Sequence, residues 1–292
     1  MSDADIQIEF PKEATRELYQ KAIDELFEKA KKADEREFIV ANFYFSGLMQ
    51  VNDNYDIKKE LDKTLSDFIV LFANPGSFSN EGLRIKFLIL LYCHILEFYL
   101  FYIFIYGLLD ICSGESFDYY AFKKPAPNYS ELTKRISNAL EKGKNDLKKI
   151  NMILPICKPL FSDKMTNWQK INKIDVKSKS NQSEVGRIIK SFYNNELRNA
   201  FSHNSYTVSS KDVSLTDCHK LLPIHQVAEQ IVNCFHFYQY LSFKSGEVMR
   251  LLTKNQNSKF TGKYGTLAVK AIKEEDGKFH FSIESSSTGK TF

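Results

Sequence analysis

The sequence is poor in the two residues that most often interrupt regular structure, with 12 Gly and 7 Pro among 292 residues. Few helix breakers and long periodic stretches favour a mostly helical protein. The charge is also nearly balanced, since 40 basic and 36 acidic residues give a net charge of +4, which alone does not indicate a nucleic-acid-binding protein. A hydrophobic fraction of 43% argues against wholesale disorder and supports a substantial core.

Cysteine is scarce and unpaired in the sequence: there are five, an odd number, and no C-x-x-C motif. Two of them lie inside apolar stretches that read as helices, which predicts reduced, buried thiols. The N-terminal segment is acidic and polar, unlike a signal peptide. Together these features lead us to expect a cytoplasmic protein.

Residues 87–109 form one long apolar run that has the length of a membrane span. His94 and Glu97 lie near its middle, where an acidic residue costs roughly 2.5–3.5 kcal/mol on insertion scales. No second span accompanies it, and the flanking charges show no clear asymmetry. We therefore expect a buried central helix without membrane contact, with a membrane anchor as the alternative.

Periodicity along the chain predicts an all-α bundle with a small C-terminal β-hairpin. The polar stretch 172–183 predicts a loop, and alternation on both sides of Asp276-Gly277 predicts the hairpin. We divide the chain into N-terminal helices that pack on the bundle (1–78), the helical domain (79–254) and the β-hairpin tail (255–292). Helices are predicted over residues 12–33, 54–73, about 80–111, 129–150, from about 184, and 223–253.

The most informative stretch is Leu-Arg-Asn-Ala-Phe-Ser-His-Asn, at the predicted end of the helix that starts near residue 184. Arg198, Asn199 and His203 place a permanent cation, an amide and an imidazole within two helical turns. In one regular helix Arg198 and His203 would point about 140° apart. They can act on one phosphate if the helix ends near Ser202, or if two copies of the segment share a cleft across a symmetric dimer.

Two strings of the sequence resemble the HEPN superfamily. Arg198-Asn199 followed by His203 is similar to the R-x(4–6)-H motif of that superfamily, which favours a polar residue after the Arg. Upstream, the string Leu-Leu-Tyr-Cys-His-Ile-Leu-Glu-Phe-Tyr resembles a helix of one HEPN branch in which His94 and Glu97 would be the matching residues. Cys93 departs from the usual Ala there. The resemblance covers about residues 80–250.

What the resemblance implies is a HEPN-like bundle that acts as a dimeric, metal-independent endoribonuclease in bacterial phage defence or a toxin–antitoxin system. RNA would be the substrate, no cofactor or metal would be needed, and an inhibitory protein partner would restrain the enzyme. HEPN membership would make Arg198, His203 and Asn199 catalytic, with Glu97 and His94 as supporting residues.

The chemistry of these side chains agrees with such a reaction. RNA carries its own nucleophile, the 2′-hydroxyl, and histidine is the side chain best suited to move protons near neutral pH. His203 would act as general acid or base, and Arg198 would stabilise the charge of the transition state. Asn199 would hold the imidazole or a phosphate oxygen. The expected product is a 2′,3′-cyclic phosphate.

Other interpretations stay open from the sequence alone. Arg198 could pair with a helix acid such as Glu196, and His203 could cap a helix C-terminus. The chain would then be a non-catalytic helical module that binds RNA or a partner protein. A metal site is also conceivable, although its spacing fits no common zinc motif; its candidate ligands are His225, Glu229, His236, Cys218 and His219.

Overall fold

The computed structural model describes residues 11–47, 63, 67, 81–122, 165–209, 211–274 and 279–286, with only the backbone of residue 81. Of these residues 63% are helical and 17% lie in strands. The described helices are α1 (Glu13–Ala33), α2 (Glu35–Phe45), α3 (Glu81–Glu97), α4 (Tyr99–Cys112), α5 (Asn167–Ser180), α6 (Val185–Phe192), α7 (Asn195–Ser202) and α8 (Ile224–Lys254). The described strands are β1 (Tyr206–Val208), β2 (Asp212–Leu215), β3 (Lys220–Pro223), β4 (Asn257–Gly262), β5 (Gly265–Lys273) and β6 (Phe279–Ser286).

The prediction of an all-α HEPN-like bundle with a small C-terminal β-hairpin is wrong. The strands form two antiparallel three-stranded sheets, in the orders β1-β2-β3 and β4-β5-β6. The predicted hairpin corresponds to the pairing of β5 with β6, but β4 pairs along the other edge of β5. Since a lone two-stranded hairpin is marginal in water, the third strand and the docking of the sheet on helices give it stability.

The first sheet fills the connection between α7 and α8, where no strands were predicted. Its strands are only three or four residues long, but β2 alternates in burial: Val213 and Leu215 are fully buried, and Asp212 and Ser214 are half-buried. β2 packs against both α7 and α8. The sheet therefore fixes the end of α7 against the longest described helix.

The central apolar run is two helices rather than one, broken at Phe98. Phe98 has extended backbone angles, and α3 and α4 meet at a bend of 48°. The break frees the buried carbonyl of Leu96, which accepts a hydrogen bond from the Tyr102 hydroxyl at 2.8 Å. Within the described residues no unbroken helix has the length and apolarity of a membrane span, whereas the bent pair meets both criteria together.

The buried central helix is confirmed for α4, which packs against α1, α2 and α5. Its Phe104 stacks on Phe45 of α2 with ring centroids 4.2 Å apart, and Phe101 contacts Phe237 of α8. Aromatic side chains thus contribute much of the packing in the core. The largest side chains that are almost completely buried include Tyr92, Tyr102, Tyr238, Phe43, Phe45, Phe101, Phe104, Phe122, Phe192 and Phe237.

The predicted helices over 12–33 and 223–253 are confirmed as α1 and α8. The predicted loop over 172–183 is wrong, because α5 runs to Ser180. α5 begins with a capping box in which Thr166 and Gln169 each bond the backbone N–H of the other. The helices predicted over 54–73 and 129–150 lie outside the described residues, except that residues 63 and 67 are helical.

The C-terminal sheet docks on the start of α2 through buried polar groups. Asp34 caps α2 by accepting from the Glu37 amide at 2.9 Å, and its other oxygen accepts from the Lys263 amide at 2.7 Å. The buried Arg36 pairs with Glu37 and donates to Ser285 Oγ of β6 at 3.1 Å. These contacts hold both the β4–β5 turn and β6 against α2.

Gly186 allows α6 to approach α5 closely. A Cβ at this position would lie 2.7 Å from the Asp175 Cα and 2.8 Å from Ser178 Oγ, and the backbone of α5 cannot yield as a side chain could. We expect Gly186→Ala to lower the free energy of unfolding by roughly 1–3 kcal/mol. Gly246→Ala on α8, where a Cβ meets nothing within 4 Å, is the control and should raise it by up to about 1 kcal/mol. Urea unfolding measures both, and equal effects would contradict the close approach.

A second prediction concerns Asp110 of α4, which is 4% exposed and pairs with Lys177 of α5 at 2.9 Å between Oδ1 and Nζ. Burial raises its pKa from an ordinary 3.8 to about 6, although Lys177 opposes the shift. Since the pKa is higher in the folded chain, the stability linked to this group is full below the unfolded value and is lost as pH rises through the folded one.

Asp110→Asn should therefore gain stability relative to the wild type as pH rises from about 4 to about 7, by roughly 3 kcal/mol at most. The measurement is urea unfolding of both proteins across this range. A difference that stays constant with pH, or that moves in favour of the wild type, would contradict the raised pKa.

Candidate active site

The break between α6 and α7 sets the direction of the segment that carries Arg198. Tyr193 and Asn194 have extended backbones, so the single helix predicted from residue 184 is two helices. The fully buried Tyr92 of α3 holds the break: its hydroxyl donates to the Phe192 carbonyl at 2.8 Å and accepts from the Asn194 amide at 2.6 Å. Asn194 then caps α7 by accepting from the Leu197 amide at 3.0 Å. α7 is consequently anchored to α3.

Arg198 of α7 is held against the last residue of α3. Its Nε donates to Glu97 Oε1 at 2.5 Å, and its Nη2 pairs with the same oxygen. Its Nη1 donates to the side-chain oxygen of Asn199 at 2.9 Å. The structure thus brings together three of the five predicted site residues, and the Arg198 side chain stays 29% exposed.

Two further residues join this cluster that were not among the five predicted site residues. Asn167, at the start of α5, donates to Glu97 Oε1 at 3.1 Å, and its own oxygen accepts from the buried Lys170 at 2.9 Å. Lys170 also lies about 5 Å from the ring centroids of Tyr99 and Tyr102. The signal that could have revealed Asn167 is the capping box around it, which marks a helix start.

His203 lies at the C-terminal cap of α7, and the predicted helix end near Ser202 is confirmed. Asn204 follows with a φ of 53°, and the amide of Ser205 bonds the Ala200 carbonyl at 2.8 Å, which completes a Schellman motif. The imidazole is exposed, and within the described part of the chain it has no hydrogen-bond or ion-pair partner. The structure therefore places His203 at the C-terminal end of the helix that carries Arg198, and among the described residues the two side chains form no contact.

His94 is also exposed, one turn before Glu97 on α3. The i, i+3 spacing puts the two residues on one helix face. Among the described residues His94 contacts neither Arg198 nor His203, so only Glu97 of the two predicted supporting residues touches the guanidinium. Glu196, the alternative partner of Arg198, instead pairs with Lys220 at 2.5 Å.

Burial keeps two groups near Arg198, the Cys93 thiol and the Tyr193 hydroxyl, in their neutral forms. Burial raises the pKa of Cys93 to about 12 and that of Tyr193 to about 12, and Arg198 opposes both shifts only in part. A thiol with so high a pKa is a poor nucleophile. The reactive groups at this surface are therefore the guanidinium, the Glu97 carboxylate and the exposed imidazoles.

The guanidinium keeps the capacity to bind an anion. Arginine has five N–H donors, and three are engaged with Glu97 and Asn199, so two are left. Glu97, however, cancels most of the charge at close range. The arrangement can therefore bind a phosphate oxygen through Arg198 once the approaching anion competes with Glu97.

Several lysines of α5 and α6 have partners within the chain. Lys173 donates to the Ala121 carbonyl at 2.6 Å, and Lys177 pairs with Asp110 and Glu115. Lys179 and Lys190 share Asp175 Oδ2, at 3.0 and 2.9 Å. Most of these lysines thus serve helix packing, and the basic segment 134–149 lies outside the described residues.

In the described ranges no three His, Cys, Asp or Glu side chains are grouped so that they could hold a metal ion. This includes the alternative set around His225 and His236, since Cys218, His219, His225, Glu229 and His236 are all described.

Comparisons of the chain with protein-family models, with curated proteins and with solved structures gave no match. Kinship with the HEPN superfamily therefore stays a prediction from the two sequence strings.

Tyr92 is the residue whose loss should disturb the placement of α7 most directly. Tyr92→Phe removes the hydroxyl and leaves the Phe192 carbonyl and the Asn194 amide without this partner, which should cost roughly 1–3 kcal/mol of the free energy of unfolding. Tyr206→Phe is the control, because the Tyr206 hydroxyl makes no hydrogen bond to the described residues. Thermal or urea unfolding compares the two, and equal stabilities would contradict the role given to Tyr92.

Proposed function

We propose that the chain is a metal-independent endoribonuclease that cleaves RNA by attack of the 2′-hydroxyl and acts as a dimer. The proposal is carried by two side chains of α7 and its cap. The guanidinium of Arg198 is fixed by Glu97 and Asn199. Five residues later, the imidazole of His203 is exposed and has no partner among the described residues. A metal is not required, because the substrate supplies its own nucleophile.

In this mechanism His203 takes the 2′-hydroxyl proton or protonates the leaving 5′-oxygen, and Arg198 stabilises the negative charge that develops on the phosphate. Asn199 holds one Nη1 N–H of Arg198 and so orients the planar fork of the guanidinium. Glu97 fixes the guanidinium from the other side, through Nε and Nη2. His94 lies one turn away on the same face and completes the rim of the site.

The dimer supplies what one copy lacks. Arg198 and His203 do not touch within one chain, and two copies of α7 that meet across a two-fold axis would place the Arg198 of one beside the His203 of the other. The two imidazoles could then divide the acid and base roles. The cysteine pattern and the polar N-terminal segment lead us to expect a cytoplasmic setting. The resemblance to HEPN proteins implies phage defence or a toxin–antitoxin system, with an inhibitory partner protein.

The alternative is a helical module that binds RNA or a partner protein without catalysis. The pairing of Arg198 with Glu97 favours it, because the acid neutralises the cation on which catalysis would depend. The two functions differ in one measurable respect, the cutting of RNA.

The test is incubation of the purified protein with single-stranded RNA in EDTA. Arg198→Ala and His203→Ala should each lower the cleavage rate by about 10²- to 10³-fold, the range typical of lost electrostatic and acid–base catalysis. Products should end in a 2′,3′-cyclic phosphate, and DNA of the same sequence should stay intact.

Two control variants match the chemistry of the tested residues. Arg187→Ala removes an arginine that also pairs with a helix acid, Glu184, and His225→Asn removes an exposed imidazole of α8. Both should cut RNA like the wild type. Binding of RNA without cutting would support the non-catalytic module, and cutting that survives in both Arg198→Ala and His203→Ala would assign the activity to other residues.

A further inference from the structure

The only tryptophan of the chain, Trp168, lies on the surface next to the Arg198 cluster. Its side chain is 44% exposed, which is unusual for the largest apolar residue. It stands in the first turn of α5, directly after Asn167, and Asn167 bonds the same Glu97 oxygen that holds Arg198. A partly exposed aromatic ring therefore lies in the same helical turn as a residue of the Arg198 cluster.

The indole ring of Trp168 is held in place by a neighbouring aromatic ring. Trp168 stacks on Tyr193 with an interplanar angle of 18° and centroids 5.8 Å apart, and the Tyr193 hydroxyl donates to Asn195 at 3.0 Å. The capping box of Thr166 and Gln169 fixes the backbone on both sides of the indole. A platform that is ordered before binding loses little conformational entropy when a ligand stacks on it.

A cation accompanies the platform. Lys190 Nζ lies 5.6 Å from the Trp168 ring centroid and 2.9 Å from Asp175 Oδ2. Lys179 bonds the same carboxylate oxygen, so two ammonium groups share one negative charge and leave a net charge of +1 beside the ring. An aromatic face flanked by excess positive charge is the arrangement with which proteins bind single-stranded nucleic acids.

We infer that Trp168, together with Lys190, forms a subsite that stacks one base of the single-stranded RNA next to the phosphate bound by Arg198. The inference rests on the proposed function, since it assigns a position of the same substrate. Stacking is tolerant of sequence, because every base has a π-face. Double-stranded RNA, whose bases are paired and stacked on one another, should not use this subsite.

Because Trp168 is the sole tryptophan, its fluorescence reports directly on the subsite. The experiment uses the full chain with His203→Ala and a 2′-O-methyl RNA oligonucleotide, so that no cutting interferes. We expect saturable quenching by the single strand and none by its duplex. With a dye-labelled oligonucleotide, Trp168→Ala should weaken binding about 5- to 150-fold, the range that corresponds to typical stacking energies per base.

Two variants guard against trivial explanations. Trp168→Phe keeps a ring on Tyr193 and should retain part of the affinity, which a folding defect would not allow. Phe243→Ala removes another exposed aromatic side chain with a neighbouring ring, Tyr240, and a cation, Arg250, but on α8; it should bind like the parent.

The outcomes separate this inference from the proposed function. RNA that is bound and cut equally well by Trp168→Ala overturns the subsite and leaves the nuclease standing. RNA that is bound through Trp168 but never cut by the wild type supports the subsite and overturns the nuclease. Fluorescence that changes with protein concentration but not with oligonucleotide would assign Trp168 to a contact between two copies and overturn the subsite.

Discussion

The Glu97 carboxylate is the point at which three helices meet. One of its oxygens receives hydrogen bonds from Arg198 of α7 and Asn167 of α5, while Glu97 itself ends α3. The position of Glu97 depends in turn on the break at Phe98, which stops α3 at this residue and turns α4 into the core. The position of the site is therefore set by the end of α3, because Arg198 and Asn167 both bond to its last residue, Glu97.

This arrangement has opposing consequences for chemistry. The acid that orients Arg198 also reduces the charge it can offer, so binding of an anion must compete with an existing ion pair. For a partly exposed pair the competition is modest, because exposed ion pairs contribute about 0–1 kcal/mol. A polyanion that presents several phosphates can therefore displace Glu97 from Arg198 more readily than a weakly bound single anion can.

Features with strong local signals were predictable from the sequence, and features sustained by distant contacts were not. The periodic stripe of α8 and the end of α7 at Ser202 are local features. They depend on helical spacing and on the left-handed conformation that Asn204 tolerates. The stretch 172–183 predicts a loop because it is polar, but its first nine residues belong to α5. α5 begins with a capping box and contacts residues far away in the sequence, for example through the pair of Lys177 with Asp110.

The candidate site shows the same division. Arg198, Asn199 and Glu97 were predicted from recognisable strings, and the structure brings these three side chains into contact. Asn167 and Trp168 belong to a helix that was not predicted, so nothing in the sequence placed them beside Arg198. The short sheet after α7 was missed because strands of three or four residues carry too few alternations to stand out.

The seam between Asp34 and the turn at Lys263 joins parts of the chain that are 229 residues apart. During synthesis α1 and α2 are made long before the turn that contains Lys263. The hydrogen bond from the Lys263 amide to the Asp34 carboxylate can therefore form only late. Closing so long a loop is costly in chain entropy and slows folding. The residues that hold Arg198 are all synthesised before Lys263, so their contacts can form before the contact between Asp34 and Lys263.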